Sequence, residues 1–119
     1  MALRIATLKR ILFLCSRARL RSPTAAQVFS TWPGLETACA GLAPDADEPV
    51  TPEHLAWAQI IFVMEQLHQT QLVRRFRPYL RHVRVICLNI PDDYGYMDPA
   101  LITRLEKRVT PHLARKTKS

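Results

Sequence analysis

Short apolar runs alternate along the chain with stretches in which apolar residues recur every three or four positions. Four runs have the length of strands, at 10–14, 35–39, 60–64 and 83–88, and continuous apolar runs are typical of strands buried in a parallel sheet. Between them the helical periodicity predicts helices over about 22–32, 51–57 and 65–76, with a last amphipathic helix after residue 98. This alternation predicts right-handed crossovers and a parallel sheet covered by helices on both faces.

Two of the predicted helices begin with a proline signal. Ser22 and Thr51 each precede a proline, and a Ser or Thr N-cap followed by proline at the first helical position is a common helix start. We therefore predict N-caps at both residues. In parallel α/β sheets, ligands bind at the carboxyl ends of the strands. Two loops are expected there, 15–22 after the first strand and 90–96 after the fourth.

Length and composition narrow the class of protein. A chain of 119 residues predicts one domain, 1–119, with a tail that frays from about residue 115. No apolar run approaches the ~20 residues that span a bilayer, and the N-terminus lacks a signal-peptide pattern. We expect a cytoplasmic protein with no membrane partner. The formal net charge of +7 favours anionic partners, so nucleic acid is a candidate beside a phosphorylated substrate.

The three cysteines are far apart, and no Cys-x-x-Cys or Cys/His cluster suggests a metal site. Cys15 stands out because it directly follows the first apolar run, while Arg21 directly precedes a helix. The five residues between them are long enough to wrap around a tetrahedral anion with their backbone amides pointing inward. These candidate binding residues are Ser16, Arg17, Ala18, Arg19 and Leu20.

The ends of this loop carry the chemistry. The Arg21 guanidinium can clamp two oxygens of a phosphate group at once. In the same positive field Cys15 is expected to be a thiolate at neutral pH, and a thiolate facing phosphorus is a nucleophile. Ser22 can hydrogen-bond the sulfur and help it leave.

The segment from Cys15 to Pro23, a Cys-x5-Arg-Ser-Pro loop after an apolar strand, resembles the low-molecular-weight protein tyrosine phosphatases. The resemblance extends to Cys39-Ala-Gly, where the family has Ser-Ala-Gly, and to Val63-Met-Glu, where it has Cys-Met-Asp. It implies a three-layer α/β/α fold with a four-stranded parallel sheet in the order 2-1-3-4. It also implies hydrolysis of a phosphate ester through a phosphocysteine, with no metal or cofactor and with phosphotyrosine as the family's substrate.

The family supplies its proton donor from an Asp-Pro-Tyr loop after the fourth strand. Here the loop reads Ile-Pro-Asp-Asp-Tyr-Gly-Tyr over 90–96. Alignment on the tyrosine puts Asp92 at the acid position and Asp93 where the family has proline; Asp92 is preferred, with Asp93 as the alternative. Tyr94 and Tyr96 are expected to form an aromatic wall of the cleft.

The loop departs from the family pattern at three points. Arg17 and Ala18 stand where the family has Gly and Asn, which suit positive φ, and a non-glycine residue in that conformation costs about 1 kcal/mol. Arg17 and Arg19 favour substrates with more than one negative charge. Leu20 replaces a second cysteine that many members carry. Three functions remain open: a tyrosine-phosphatase-like enzyme, the same chemistry on a nucleotide or RNA phosphate, and a phosphate-binding module without turnover.

Overall fold

The computed structural model describes residues 9–118, with side chains up to Leu113. In chain order the elements are β1 Lys9–Cys15, α1 Arg21–Phe29, β2 Leu35–Gly41, α2 Pro52–Trp57, β3 Ile60–Val63, α3 Gln66–Phe76, a 3₁₀ turn Arg77–Tyr79, β4 Arg84–Cys87 and α4 Pro99–Lys118. Among these helices, none is long and apolar enough to cross a membrane. The predictions made for the N-terminal residues and for the frayed tail fall on residues or side chains outside this description.

The four strands form one parallel sheet in the order β2-β1-β3-β4, which confirms the predicted sheet. β1 is central: it pairs with β2 from Lys9 opposite Leu35 to Cys15 opposite Gly41, and with β3 on its other side. Flanking strands and covering helices leave the β1 residues from Ile11 to Leu14 fully buried, as a continuous apolar run requires. The register places Cys15 at the carboxyl end of the sheet.

Side chains of β1 alternate between two apolar cores, one on each face of the sheet. On one face Phe13 stacks on Phe29 of α1 and Phe62 of β3, with ring centroids 5.8 and 5.5 Å apart, and α4 covers the same core. On the other face Leu14 packs in a core with Leu72 of α3 and residues of α2. The helices therefore form two outer layers, which confirms the predicted three-layer arrangement.

The two proline-marked helix starts behave differently. Thr51 caps α2 as predicted, since its hydroxyl accepts a hydrogen bond from the His54 N–H at 3.4 Å. The N-cap predicted at Ser22 is wrong: α1 already begins at Arg21, and Ser22 is buried in its first turn. The Ser22 hydroxyl lies 3.0 Å from the Cys15 sulfur instead, so its polar contact serves the loop rather than the helix end.

Gly41, at the end of β2, is where the fold tolerates no side chain. A Cβ there would lie 2.5 Å from the Ser16 carbonyl oxygen and 2.7 Å from the Ala46 Cβ. Contacts under 3.0 Å with backbone cannot be relieved by a rotamer change. The absence of a Cβ thus lets the segment after β2 approach the loop after β1.

We expect Gly41→Ala to lower the free energy of unfolding by about 2 kcal/mol, the usual cost of overpacking a tight site. Gly95→Ala is the matched control, because nothing lies within 4 Å of the Cβ position at Gly95, and its effect should stay within about 0.5 kcal/mol. Urea unfolding of both variants measures the difference. Equal midpoints for the two would show that the close approach at Gly41 is not a constraint.

Candidate active site

The loop between β1 and α1 begins with carbonyl groups that turn outward. The carbonyls of Cys15, Ser16 and Arg17 accept hydrogen bonds from the backbone N–H groups of Leu42, Ala43 and Asp47 at 3.0, 2.8 and 3.0 Å. In a planar trans peptide the carbonyl and the following N–H point in opposite directions. Tethering these carbonyls outward therefore turns the next amides toward the inside of the loop, the geometry of a backbone anion site.

The Cys15 sulfur lies inside this loop. The N–H of Ala18 points at Sγ from 3.2 Å, and Ser22 Oγ lies 3.0 Å away. Ala18 adopts a positive φ of 59°, whereas the φ of Arg17 is not positive. The conformational cost of about 1 kcal/mol is thus confined to one residue, and that residue donates to the sulfur.

Arg21 is buried at the other end of the loop, with its side chain 5% exposed. Its Nη1 is paired with the Glu65 carboxylate and donates to the Ile90 carbonyl at 2.8 Å. Its Nε lies 3.8 Å from Asp92 Oδ1. Within residues 9–113 no hydrogen bond is formed by Nε or Nη2. A guanidinium has five N–H donors, so the edge that can hold two oxygens at once remains available.

These groups open onto a cleft of about 470 Å³. The cleft is lined by Cys15, Ser16, Arg17, Arg19, Leu20, Arg21 and Asp92. The structure thus brings Asp92 to the wall facing the loop that follows β1. Among the described residues, no group of three or more His, Cys, Asp or Glu could hold a metal ion.

The other candidates of the second loop lie elsewhere. Asp93 is exposed and does not line the cleft. Tyr94 is half-buried against the core beside α4, where the Arg104 guanidinium lies 6.0 Å from its ring centroid, and Tyr96 is 55% exposed. Neither ring lines the cleft, so the structure does not place the predicted aromatic wall there.

The two extra arginines of the loop are neutralised by aspartates that follow β2. Arg17 pairs with Asp45 at 3.5 Å and Arg19 with Asp47 at 3.1 Å, all four side chains being about half exposed or more. Exposed pairs of this kind contribute at most about 1 kcal/mol each. The loop therefore offers less free positive charge than its sequence predicts.

Two buried residues that sequence reasoning did not select also belong to the site. His68 is 1% exposed; its Nε2 lies 3.1 Å from Ser16 Oγ, and its Nδ1 accepts from the Glu65 N–H at 3.1 Å. Thr24 donates through Oγ1 to the Leu20 carbonyl at 2.7 Å and accepts from the Met97 N–H at 2.9 Å, which ties the two loops together. The Glu-x-x-His spacing after β3, a helix-start pattern, was the available signal for His68.

Burial is the main cause that lowers the pKa of His68 below its ordinary value of 6.5, and the nearby positive charge of Arg21 lowers it further. Glu65 and Asp92 act in the opposite direction and are outweighed. Burial also raises the pKa of Cys39 to about 11, with smaller contributions from Cys15 and Glu48. Cys39 is therefore a neutral thiol at neutral pH.

The fold is similar to that of several solved phosphatases, including a low-molecular-weight protein tyrosine phosphatase, which superpose on more than 90% of this chain. The YwlE arginine phosphatase of Geobacillus stearothermophilus is 23% identical, with a TM-score of 0.69 over 92% of this chain and 93% of its own. The tyrosine phosphatase Wzb of Escherichia coli K30, solved with phosphate, is 20% identical, with a TM-score of 0.71 over 92% and 98%.

The low-molecular-weight protein tyrosine phosphatase of T. tengcongensis is 20% identical, with a TM-score of 0.69 over 91% of this chain and 99% of its own. At these identities the likeness establishes the fold. No protein-family model and no curated protein sequence matches the chain.

We expect the lowered pKa of His68 to make stability depend on pH below 6.5. Under that pH the unfolded chain binds a proton at His68 that the folded chain does not, so the free energy of unfolding falls as the pH drops from 6.5 toward the lowered pKa. One such proton contributes at most about 1.4 kcal/mol per pH unit. Urea unfolding between pH 7.5 and 5 should show a shallower decline for His68→Gln than for the wild type; parallel curves would contradict the assignment.

Proposed function

We propose that this chain is a cysteine-dependent phosphomonoester hydrolase, resembling a protein tyrosine phosphatase, that works through a phosphocysteine intermediate. The observation that carries the proposal is the position of the Cys15 sulfur within a loop whose carbonyls are tethered outward. The available edge of Arg21 and the carboxylate of Asp92 share the cleft with that sulfur. A nucleophile, an anion clamp and a proton donor are thereby within reach of one bound phosphate group.

In the first step the Cys15 thiolate attacks phosphorus in line with the leaving oxygen, so that a P–S bond forms and the P–O bond breaks. The inward amides and Arg21 stabilise the charge on the equatorial oxygens. Asp92 donates its proton to the leaving alkoxide or phenoxide. The alcohol departs and the phosphocysteine remains.

In the second step the same carboxylate, now ionised, accepts a proton from a water molecule that attacks phosphorus. The P–S bond breaks, inorganic phosphate leaves and the thiolate is restored. Ser22, 3.0 Å from the sulfur, stabilises the departing thiolate by donating its hydroxyl hydrogen.

Asp92 is proposed as the acid in preference to Asp93. Asp92 lines the cleft and its Oδ1 lies 3.8 Å from Arg21 Nε, so its carboxyl faces the position of a phosphate held by that guanidinium. Asp93 neighbours it in sequence but forms no hydrogen bond or ion pair with any described residue, and it does not line the cleft. Asp93 is therefore a control with the same chemistry one residue away.

A phosphotyrosyl substrate is favoured over a nucleotide or an RNA phosphate by the charges around Arg17 and Arg19, at the rim of the cleft. The arginines that would hold a second phosphate, Arg17 and Arg19, are both paired with aspartates. The cleft wall also includes Leu20, which is 38% exposed and offers apolar surface to a substrate side chain. Phosphotyrosine on a protein is the proposed substrate, and phosphoarginine is the comparison that the YwlE likeness motivates.

We expect the wild type to hydrolyse p-nitrophenyl phosphate and Cys15→Ser to lose this activity entirely. Asp92→Asn should lower kcat by about 10²-fold or more, the usual contribution of a general acid, whereas Asp93→Asn should stay within about two-fold of the wild type. Steady-state kinetics at pH 6 measure all four proteins. An equal rate in the wild type and Cys15→Ser would leave a phosphate-binding module as the function, and a larger loss in Asp93→Asn would transfer the acid role.

Freeing the rim arginines should change substrate preference. We expect Asp45→Asn combined with Asp47→Asn to raise kcat/KM several-fold for a nucleoside 3′,5′-bisphosphate, because two cations become available, with little change for a phosphotyrosyl peptide. Glu36→Gln combined with Glu106→Gln is the charge-matched control, since both carboxylates are exposed and neither lines the cleft. The wild type should prefer the phosphotyrosyl peptide to the bisphosphate and to phosphoarginine. A wild-type preference for the bisphosphate would contradict the proposed substrate class.

A further inference from the structure

We propose that His68 is a positioning residue that orients the Ser16 hydroxyl as a hydrogen-bond donor to the phosphate held in the loop. This inference rests on the proposed function, because it assigns a role in the same cleft. It adds a residue from outside the Cys-x5-Arg loop, on α3, to the groups that grip the anion.

The hydrogen bonds of the His68 ring determine its tautomer. The backbone N–H of Glu65 can only donate, and it points at Nδ1 from 3.1 Å. Nδ1 must therefore carry a lone pair and no hydrogen. A neutral imidazole with an unprotonated Nδ1 carries its hydrogen on Nε2, so Nε2 donates to Ser16 Oγ across 3.1 Å.

This donation sets the direction of the Ser16 hydroxyl. A serine hydroxyl has one hydrogen and two lone pairs, and one lone pair is occupied by His68. Within the described part of the chain the bond to His68 is the only hydrogen bond of this hydroxyl, so its own hydrogen is available. Ser16 lines the cleft beside Cys15, and the acceptor that a bound phosphate brings there is an oxygen.

The opposite tautomer would reverse the effect. If Nε2 were the acceptor, Ser16 would donate to His68 and would present only lone pairs to the anion, which would repel it. The ring cannot readily change, since His68 is 1% exposed and stands in the first turn of α3. The Glu65 N–H that holds Nδ1 is one of the amides left without an intrahelical partner at a helix start, so capping α3 and orienting Ser16 are one interaction.

The start of α3 thus serves the site twice. Through its backbone N–H, Glu65 fixes the His68 ring, and through its carboxylate it holds Nη1 of Arg21. The hydroxyl donor and the guanidinium donor are therefore positioned from the same turn of helix. The backbone of Ser16 is held separately, by the hydrogen bond from the Ala43 N–H to its carbonyl at 2.8 Å. The contribution of His68 is therefore to restrict the rotation of the Ser16 hydroxyl.

The test compares Ser16→Ala, His68→Leu, His68→Gln and the double variant Ser16→Ala/His68→Leu. The readout is the inhibition constant of inorganic phosphate against p-nitrophenyl phosphate. Loss of a hydrogen bond to a charged group should raise this constant about ten-fold in Ser16→Ala, and loss of orientation should raise it about five-fold in His68→Leu. His68→Gln, which can accept from Glu65 and donate to Ser16, should remain within about two-fold of the wild type.

The double variant distinguishes a positioning role of His68, exerted through Ser16, from a general structural effect of losing the His68 side chain. If His68 acts through Ser16, the added His68→Leu change should alter phosphate inhibition by less than about two-fold in the Ser16→Ala background. A full five-fold loss there, or an unchanged constant in Ser16→Ala, would overturn the proposal. Should His68→Leu fail to fold, ¹H–¹⁵N spectra of the wild-type imidazoles decide: the Nε2–H neutral tautomer of His68 is expected at pH 7, and an Nδ1–H tautomer or imidazolium contradicts it.

The same experiments distinguish failure of the proposed phosphatase function from failure of the proposed His68 role. If the wild type hydrolyses no phosphate ester, that function is wrong, and direct calorimetric titration of inorganic phosphate into the same variants still tests His68. If the wild type is active and the affinities of the variants do not differ, only the positioning role is wrong.

Discussion

Three backbone hydrogen bonds between the segment after β2 and the loop after β1 determine what the carboxyl edge of this sheet can do. They hold the carbonyls of Cys15, Ser16 and Arg17 outward, and an anion can occupy the loop only if those oxygens face away from it. The approach that makes the bonds possible depends on Gly41, where a Cβ would meet the Ser16 carbonyl. The missing side chain of Gly41 in β2 therefore allows the loop after β1 to turn its amides inward, where they could face an anion. The strained conformation of Ala18, φ 59°, is sustained by the same tethering and turns its amide toward the sulfur.

Arg21 adds charge to this geometry at a buried position, which is costly unless the ion is paired and hydrogen-bonded. Its Nη1 is satisfied by Glu65 and the Ile90 carbonyl, groups that follow β3 and β4. The guanidinium is therefore fixed without a ligand, so an anion that bound to it would restrict little further side-chain freedom. Preorganised donors of this kind stabilise charge that develops during a reaction without first having to reorient.

Much of this architecture was predictable from sequence because it depends on patterns that are local. The apolar runs located the strands within one or two residues. Cys15 ends the first strand and Arg21 begins the first helix, and the loop between such a strand and helix is where ligands bind in parallel sheets.

Other features of the site depend on contacts between segments that are distant in sequence. Arg17 and Arg19 looked like free cations until the fold placed Asp45 and Asp47 beside them. At Ser22 the predicted N-cap was wrong because α1 begins one residue earlier, at Arg21, whereas the predicted contact between its hydroxyl and the Cys15 sulfur agrees with their separation of 3.0 Å. The aromatic wall was inferred from proximity to the acid in sequence, whereas the Tyr94 ring follows the packing of α4.

The division between backbone and side chains also explains how the loop can depart from the family pattern while the fold persists. The anion-facing groups of 16–18 are amides, and an amide is supplied by any residue except proline. The side chains of Arg17 and Arg19 point to the rim, where they meet solvent and the aspartates after β2. Residues at these positions can change without altering the amides, provided that Gly41 and the outward tethers remain. A TM-score near 0.7 at about 20% identity is the result expected when backbone contacts rather than particular loop side chains preserve a fold.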